Sequence, residues 1–270
     1  MDYRQYDSAI GRFNSIDVMS EKFPSLSPYS FSADNPILLN DPSGKDWSIS
    51  VTQDKNGKYH IQITVNAAII NSSGKNINMN NYIKNQTAQF NRIFSMNRKD
   101  FDVKANINIR EVKNQDDVKE SEHLINIENS SNFEKNVAGN SHLGGLNVNL
   151  NSDYINSDGS AVSNSTLSHE VGHTGGLNHP WESSTTQKIG KNYFWGLSFG
   201  SETAQKYNQN MVDLSKNFMS YPQNFNSGTT LEEKYKKVNE AYQNPGAATR
   251  GQISAIMRYY SNGYLNNNDK

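Results

Sequence analysis

The sequence predicts an α+β fold: a mixed, twisted sheet with a helix that carries the candidate site, a mostly helical C-terminal part, and a short irregular, β-prone segment in front. Three observations predict it. Apolar and polar residues alternate in several stretches between residues 47 and 150, the period of half-buried strands. Helical spacing occupies Met79 to Met96 between two of those stretches and returns near the C-terminus. Finally, His169-Glu170-Val171-Gly172-His173 sets two imidazoles four residues apart, a spacing that shares a face only on a helix.

The elements follow in order. Residues 1–45 crowd aromatics, prolines and turn formers with little sustained period, and read as irregular or β structure. Ser48 to Val51 and Tyr59 to Val65 alternate around Asp54-Lys55-Asn56-Gly57, which reads as a hairpin. Met79 to Met96 carries Ile83, Phe90, Ile93 and Phe94, the expected packed face of a long helix. Val103, Ala105, Ile107 and Ile109 make a half-buried strand, Leu124 to Ile127 a shorter one, and Leu146, Val148 and Leu150 a third just before the histidine helix. Thr230 to Tyr242 is helical in pattern. Thr249-Arg250-Gly251-Gln252 reads as a capping box opening a last helix through Tyr259, packed through Ile253, Ile256 and Met257.

Composition bounds what the chain can do. Its 270 residues are enough for one large or two modest domains. Mean hydropathy is −0.81, so much of the length is polar surface. A formal net charge of −1 gives no electrostatic reason to expect a nucleic-acid partner. No apolar run reaches the roughly 20 residues of a membrane helix, and Met1 to Ile10 is too polar for a signal peptide. The chain has no cysteine, which leaves the redox compartment open.

The chemistry concentrates in His169 to His179. His169 and His173 on one helical face can bind one Zn²⁺, and catalytic zinc typically has three protein ligands with one position left open. Glu170, beside that position, suits a general base acting on the attacking water. Gly175 and Gly176 end the helix, with Gly176 suited to positive φ, and the reversal brings His179 back as third ligand. Pro180 blocks any resumption of the helix. His60, His123 and His142 are expected to be surface or strand residues.

This string resembles the signature of the metzincin zinc endopeptidases, H-E-x-x-H-x-x-G-x-x-H followed later by a methionine turn. The resemblance implies that residues 46–270 form a metzincin-like metalloprotease domain with one catalytic Zn²⁺ and a protein or peptide substrate. It identifies Asn217-Phe218-Met219-Ser220-Tyr221 with the methionine turn, Met219 being an apolar floor and Tyr221 a metal-binding or oxyanion-stabilising group. It also implies that the strand before the helix, with Gly145, Leu146, Asn147 and Val148, is a sheet edge that pairs with extended substrate. Gly175 departs from the bulky apolar residue common there, and a looser last turn is expected.

Tyr6 to Ser15, Asn35-Pro36 and Asp41-Pro42-Ser43-Gly44 resemble the end of the Rhs repeat-associated core, which precedes the variable toxin in bacterial polymorphic toxins. That likeness implies an Rhs-like tail over residues 1–45, a toxin payload after it, delivery by a secretion system as part of a larger toxin, and a cognate immunity protein. Two alternatives stay open: a zinc-stabilised binding or shell module without catalysis, and a zinc amidase acting on cell-wall peptide.

Overall fold

The chain divides into two units, Met1–Gly44 and Lys45–Lys270. A computed structural model describes residues 46–179 and 243–261, Asn217–Met219, Glu240 and Leu265, together with the backbone of four short strands. Two of these lie in the first unit, where β1 (Tyr6–Asp7) and β2 (Arg12–Phe13) pair antiparallel. The other two, β10 (Tyr193–Phe194) and β11 (Leu197–Ser198), form a second antiparallel pair.

The second unit is α+β, built on a mixed sheet of seven strands among the described residues. β3 (Trp47–Gln53) and β4 (Tyr59–Asn71) form the expected hairpin. Its turn closes where the Gly57 N–H reaches Asp54 O at 3.1 Å, with Gly57 at φ +83°. At 13 residues β4 is long enough to serve several neighbours. β6 (Phe101–Glu111) runs parallel along one side, with β5 (Met96–Asn97) beyond it; β3 and β7 (His123–Glu128) divide the other side. β9 (Asn147–Asn151) then pairs parallel with β7, and β8 (Gly139–Ser141) pairs antiparallel with β9.

Strand alternation puts one apolar face on the core: Trp47, Ile49 and Val51 of β3 lie opposite Val65, Ile63 and Ile61, and Ile125 and Ile127 lie opposite Val148 and Leu150, all buried. α1 (Met79–Phe94) crosses between the parallel strands β4 and β6, with the Asn78 side chain accepting from the Asn81 N–H at its start. The helix differs from expectation in two ways. Met96 belongs to β5, and the packed row is Tyr82, Gln86, Phe90 and Phe94 rather than one through Ile83. Steps of four residues keep that row on one side, whereas Ile83 lies about 100° round and is half-buried.

α2 (Thr166–Thr174) and α3 (Arg250–Ser261) complete the described helices. α3 opens on the expected capping box: the Thr249 N–H donates to Gln252 Oε1 at 2.8 Å and the Gln252 N–H to Thr249 Oγ1 at 3.2 Å. Ile253, Ile256 and Met257 are fully buried. The helix expected over residues 230–242 lies outside the described residues apart from Glu240.

Candidate metal centre

α2 is buried from Leu167 to Thr174, so both of its histidines and Glu170 are enclosed. A Schellman closure ends it, in which the Gly176 N–H donates to His173 O at 2.8 Å and the Leu177 N–H to Gly172 O at 3.0 Å. Gly176 has φ +81°, and a Cβ there would meet the Tyr259 ring at 2.7 Å, so both conformation and packing require glycine. Gly175 admits a different neighbour: a Cβ would lie 2.9 Å from Trp47 Cζ2. Trp47 also donates from Nε1 to Thr174 Oγ1 at 3.1 Å. Trp47 thus fills the space that a larger residue at position 175 would need.

The reversal brings His179 to the two helical histidines. His169 Nε2 lies 3.1 Å from His173 Nε2 and 3.3 Å from His179 Nε2. One ligand atom from each of the three lies within 4.8 Å of the others. The opposite ring nitrogens face main-chain carbonyls, His169 Nδ1 on Phe218 O at 3.0 Å and His173 Nδ1 on Leu177 O at 2.7 Å. A carbonyl only accepts, so each Nδ1 carries the hydrogen and each Nε2 presents a lone pair. Burial, followed by the neighbouring imidazoles, holds His169 well below its ordinary pKa and so without a second proton. The lone pairs of His169 and His173, 3.1 Å apart, repel, and a cation between them removes the repulsion. The three histidines could thus hold a metal ion.

Long-range packing fixes this geometry. Trp47, Phe90, Phe94 and Phe218 form an aromatic cluster with centroid separations of 4.5–6.4 Å, and it holds the backbone whose carbonyl orients His169. Met219, fully buried, lies directly against α2: a Cβ on Gly172 would come 2.6 Å from its Sδ. Asn217 braces the turn, accepting from the Met219 N–H at 2.9 Å and exchanging amide hydrogen bonds with Gln252 of α3. Tyr221 lies outside the described residues.

Glu170 is 3% exposed, and burial raises its carboxyl pKa to about 7 against the lowering effect of a hydrogen bond from Ser141. That bond, Ser141 Oγ to Glu170 Oε2 at 2.9 Å, comes from β8. The strand order corrects one expectation. Asn147 and Val148 open β9, but β9 is an inner strand, for Val148 pairs with Ile125 on one side and Ser141 on the other. Gly145 and Leu146 precede β9 in the turn from β8, where Gly144 has φ +71° and the Gly145 N–H donates to His142 O. β8 is the outermost strand on that side among the described residues.

Ser141, Gly139 and the carbonyl of Phe218 were not found from the sequence. Only the glycine pair at 144–145, a turn signal between two short extended runs, hinted that another strand lay outside β9. The remaining histidines are elsewhere: His123 is fully buried in β7, His142 is exposed, and His60 contacts Asp102 at 3.0 Å. No protein-family model, curated protein or solved structure matches the chain. Among the described residues no helix is long and apolar enough to cross a membrane.

Proposed function

We propose that this chain is a zinc-dependent endopeptidase of the metzincin type and the toxin tip of a polymorphic, Rhs-type toxin. The peptidase reading rests on three convergent imidazoles with the enclosed carboxylate of Glu170 next in sequence to the first of them. Three imidazoles with no thiolate or carboxylate among them suit Zn²⁺ better than Mg²⁺ or Ca²⁺, which favour oxygen ligands. A zinc ion held by His169, His173 and His179 would supply Lewis acidity to the scissile carbonyl and to water.

The chain's own groups account for the rest. Phe218 O and Leu177 O hold two of the imidazoles in the tautomer that keeps the hydrogen on Nδ1 and the lone pair on Nε2. Glu170, with its affinity for protons raised towards neutrality, takes a proton as water adds to the carbonyl carbon and delivers one to the amine nitrogen as the C–N bond breaks. β8 offers its outer main-chain groups to an extended peptide, which gives binding with little dependence on side chains. Met219 forms the apolar floor and Tyr221 the oxyanion partner. The toxin reading rests on the Rhs-like strings of residues 1–45, and with it go delivery within a larger protein and an immunity protein that blocks the cleft.

Metal analysis and turnover of a labelled peptide or casein test the enzymatic reading. Glu170→Gln should keep zinc at wild-type stoichiometry and lose at least about 100-fold in kcat. Undiminished turnover in that variant, or wild-type turnover unaffected by a chelator that strips the metal, refutes the mechanism.

A further inference from the structure

β8, outermost on its side among the described residues, differs from an ordinary edge strand in what its inward residues touch. Alternation points Gly139 and Ser141 to one face, beside Leu150 and Val148 of β9, and Asn140 to the other, where it accepts from Asn149 Nδ2 at 2.9 Å. The inward pair flanks a single group. Ser141 Oγ is 2.9 Å from Glu170 Oε2, and a Cβ on Gly139 would lie 3.1 Å from Glu170 Cγ and 3.2 Å from its Oε1. The carboxylate is therefore cradled by one strand, tied at one oxygen and admitted at the other by a missing side chain.

From this geometry we infer that Ser141 is a positioning residue for Glu170, and that β8 thereby couples the surface offered to an extended peptide to the placement of the carboxylate. The inference rests on the peptidase reading and adds to it the strand that holds the base.

The chemistry of a hydroxyl suits the task. Ser141 Oγ has one hydrogen and two acceptors at 2.9 Å, Glu170 Oε2 and Glu170 O. An ionised carboxylate is the stronger acceptor and takes the hydrogen. The same hydroxyl can instead turn its hydrogen to the main-chain carbonyl of Glu170, with no heavy atom displaced. A methyl group can do neither. Gly139 has the complementary role, because an added methyl would press on the carboxylate and come within 3.0 Å of Asn149 O, a backbone atom that cannot swing away.

The test uses the zinc-loaded full chain with Ser141→Ala, Ser141→Val, Ser141→Thr and Gly139→Ala. Ser141→Ala and Ser141→Val should lower kcat about 10- to 100-fold, the scale of one hydrogen bond to a charged group, with KM and zinc stoichiometry near wild type. Ser141→Thr, which has the shape of valine with the hydroxyl restored, should recover kcat to within about threefold. Gly139→Ala should lower kcat with zinc retained. Equal kcat for the threonine and valine variants, or wild-type kcat for the alanine variant, overturns the role of Ser141. Glu170→Gln is assayed alongside: activity in that variant means that the peptidase mechanism has failed, whereas an inactive Glu170→Gln beside an unaffected Ser141→Ala means that only the positioning role has.

Discussion

Gly172 is the residue through which the Asn217–Met219 segment and the histidine helix meet, and Gly172→Ala measures how tightly they do. An added Cβ would sit 2.6 Å from Met219 Sδ and 3.2 Å from Phe218 Cε2, so the first contact at least must move. Met219 is flexible in principle, but at 0% exposure it has no free space to enter. Overpacking of this kind costs about 1–3 kcal/mol, while replacing a helical glycine by alanine returns about 1 kcal/mol. The net expectation is a loss of up to about 2 kcal/mol. Displacing Phe218 also moves the carbonyl that orients His169, so zinc affinity should fall about 10-fold, as for other groups that orient a ligand. Urea unfolding of the apo chain and zinc competition against a chelator read the two effects. The control is Met219→Ala: in that background the clash is gone, and Gly172→Ala should become stabilising by about 1 kcal/mol. The same change in stability in both backgrounds would show that Gly172 and Met219 do not press on one another, and the packing argument would fall.

Two further outcomes follow from buried polar groups. Gln86 is 1% exposed on the packed face of α1, and both its amide atoms lack a hydrogen-bond partner, so Gln86→Leu should raise stability by about 1–2 kcal/mol in urea melts; a destabilised variant would mean that the amide is satisfied. His123 is held by burial at a pKa of about 4, below its ordinary 6.5, and Asp46 at 3.9 Å is too distant for a hydrogen bond that would reverse this. Between those values the unfolded chain binds the extra proton, so stability is intact above pH 6.5 and falls as pH drops towards 4, by about 3 kcal/mol in all. Denaturant midpoints at pH 7.5 and 4.5 for wild type and His123→Gln should show a smaller acid loss in the variant, and parallel losses would contradict the assignment.

What the sequence determined by itself was local. His169 and His173 on one face follow from the helical repeat, and the reversal that brings His179 back follows from the backbone freedom of glycine, realised at Gly176 with φ +81°. The β3–β4 hairpin and the Thr249–Gln252 capping box were legible for the same reason, since each is complete within a few residues. Tertiary structure decided which strand is outermost among the described residues, because an edge is defined by the absence of a neighbour: the reading of Gly145 to Val148 as an edge gave way to β8, which pairs outside β9. It also decided that Ser141 reaches Glu170 across 29 residues, that Phe218 O faces His169 across 49, and that Tyr82 and Gln86 take the packed row of α1. Helical repeats and turn conformations are enforced by neighbours along the chain, whereas the partners of a carboxylate or an imidazole are set by how separate elements pack.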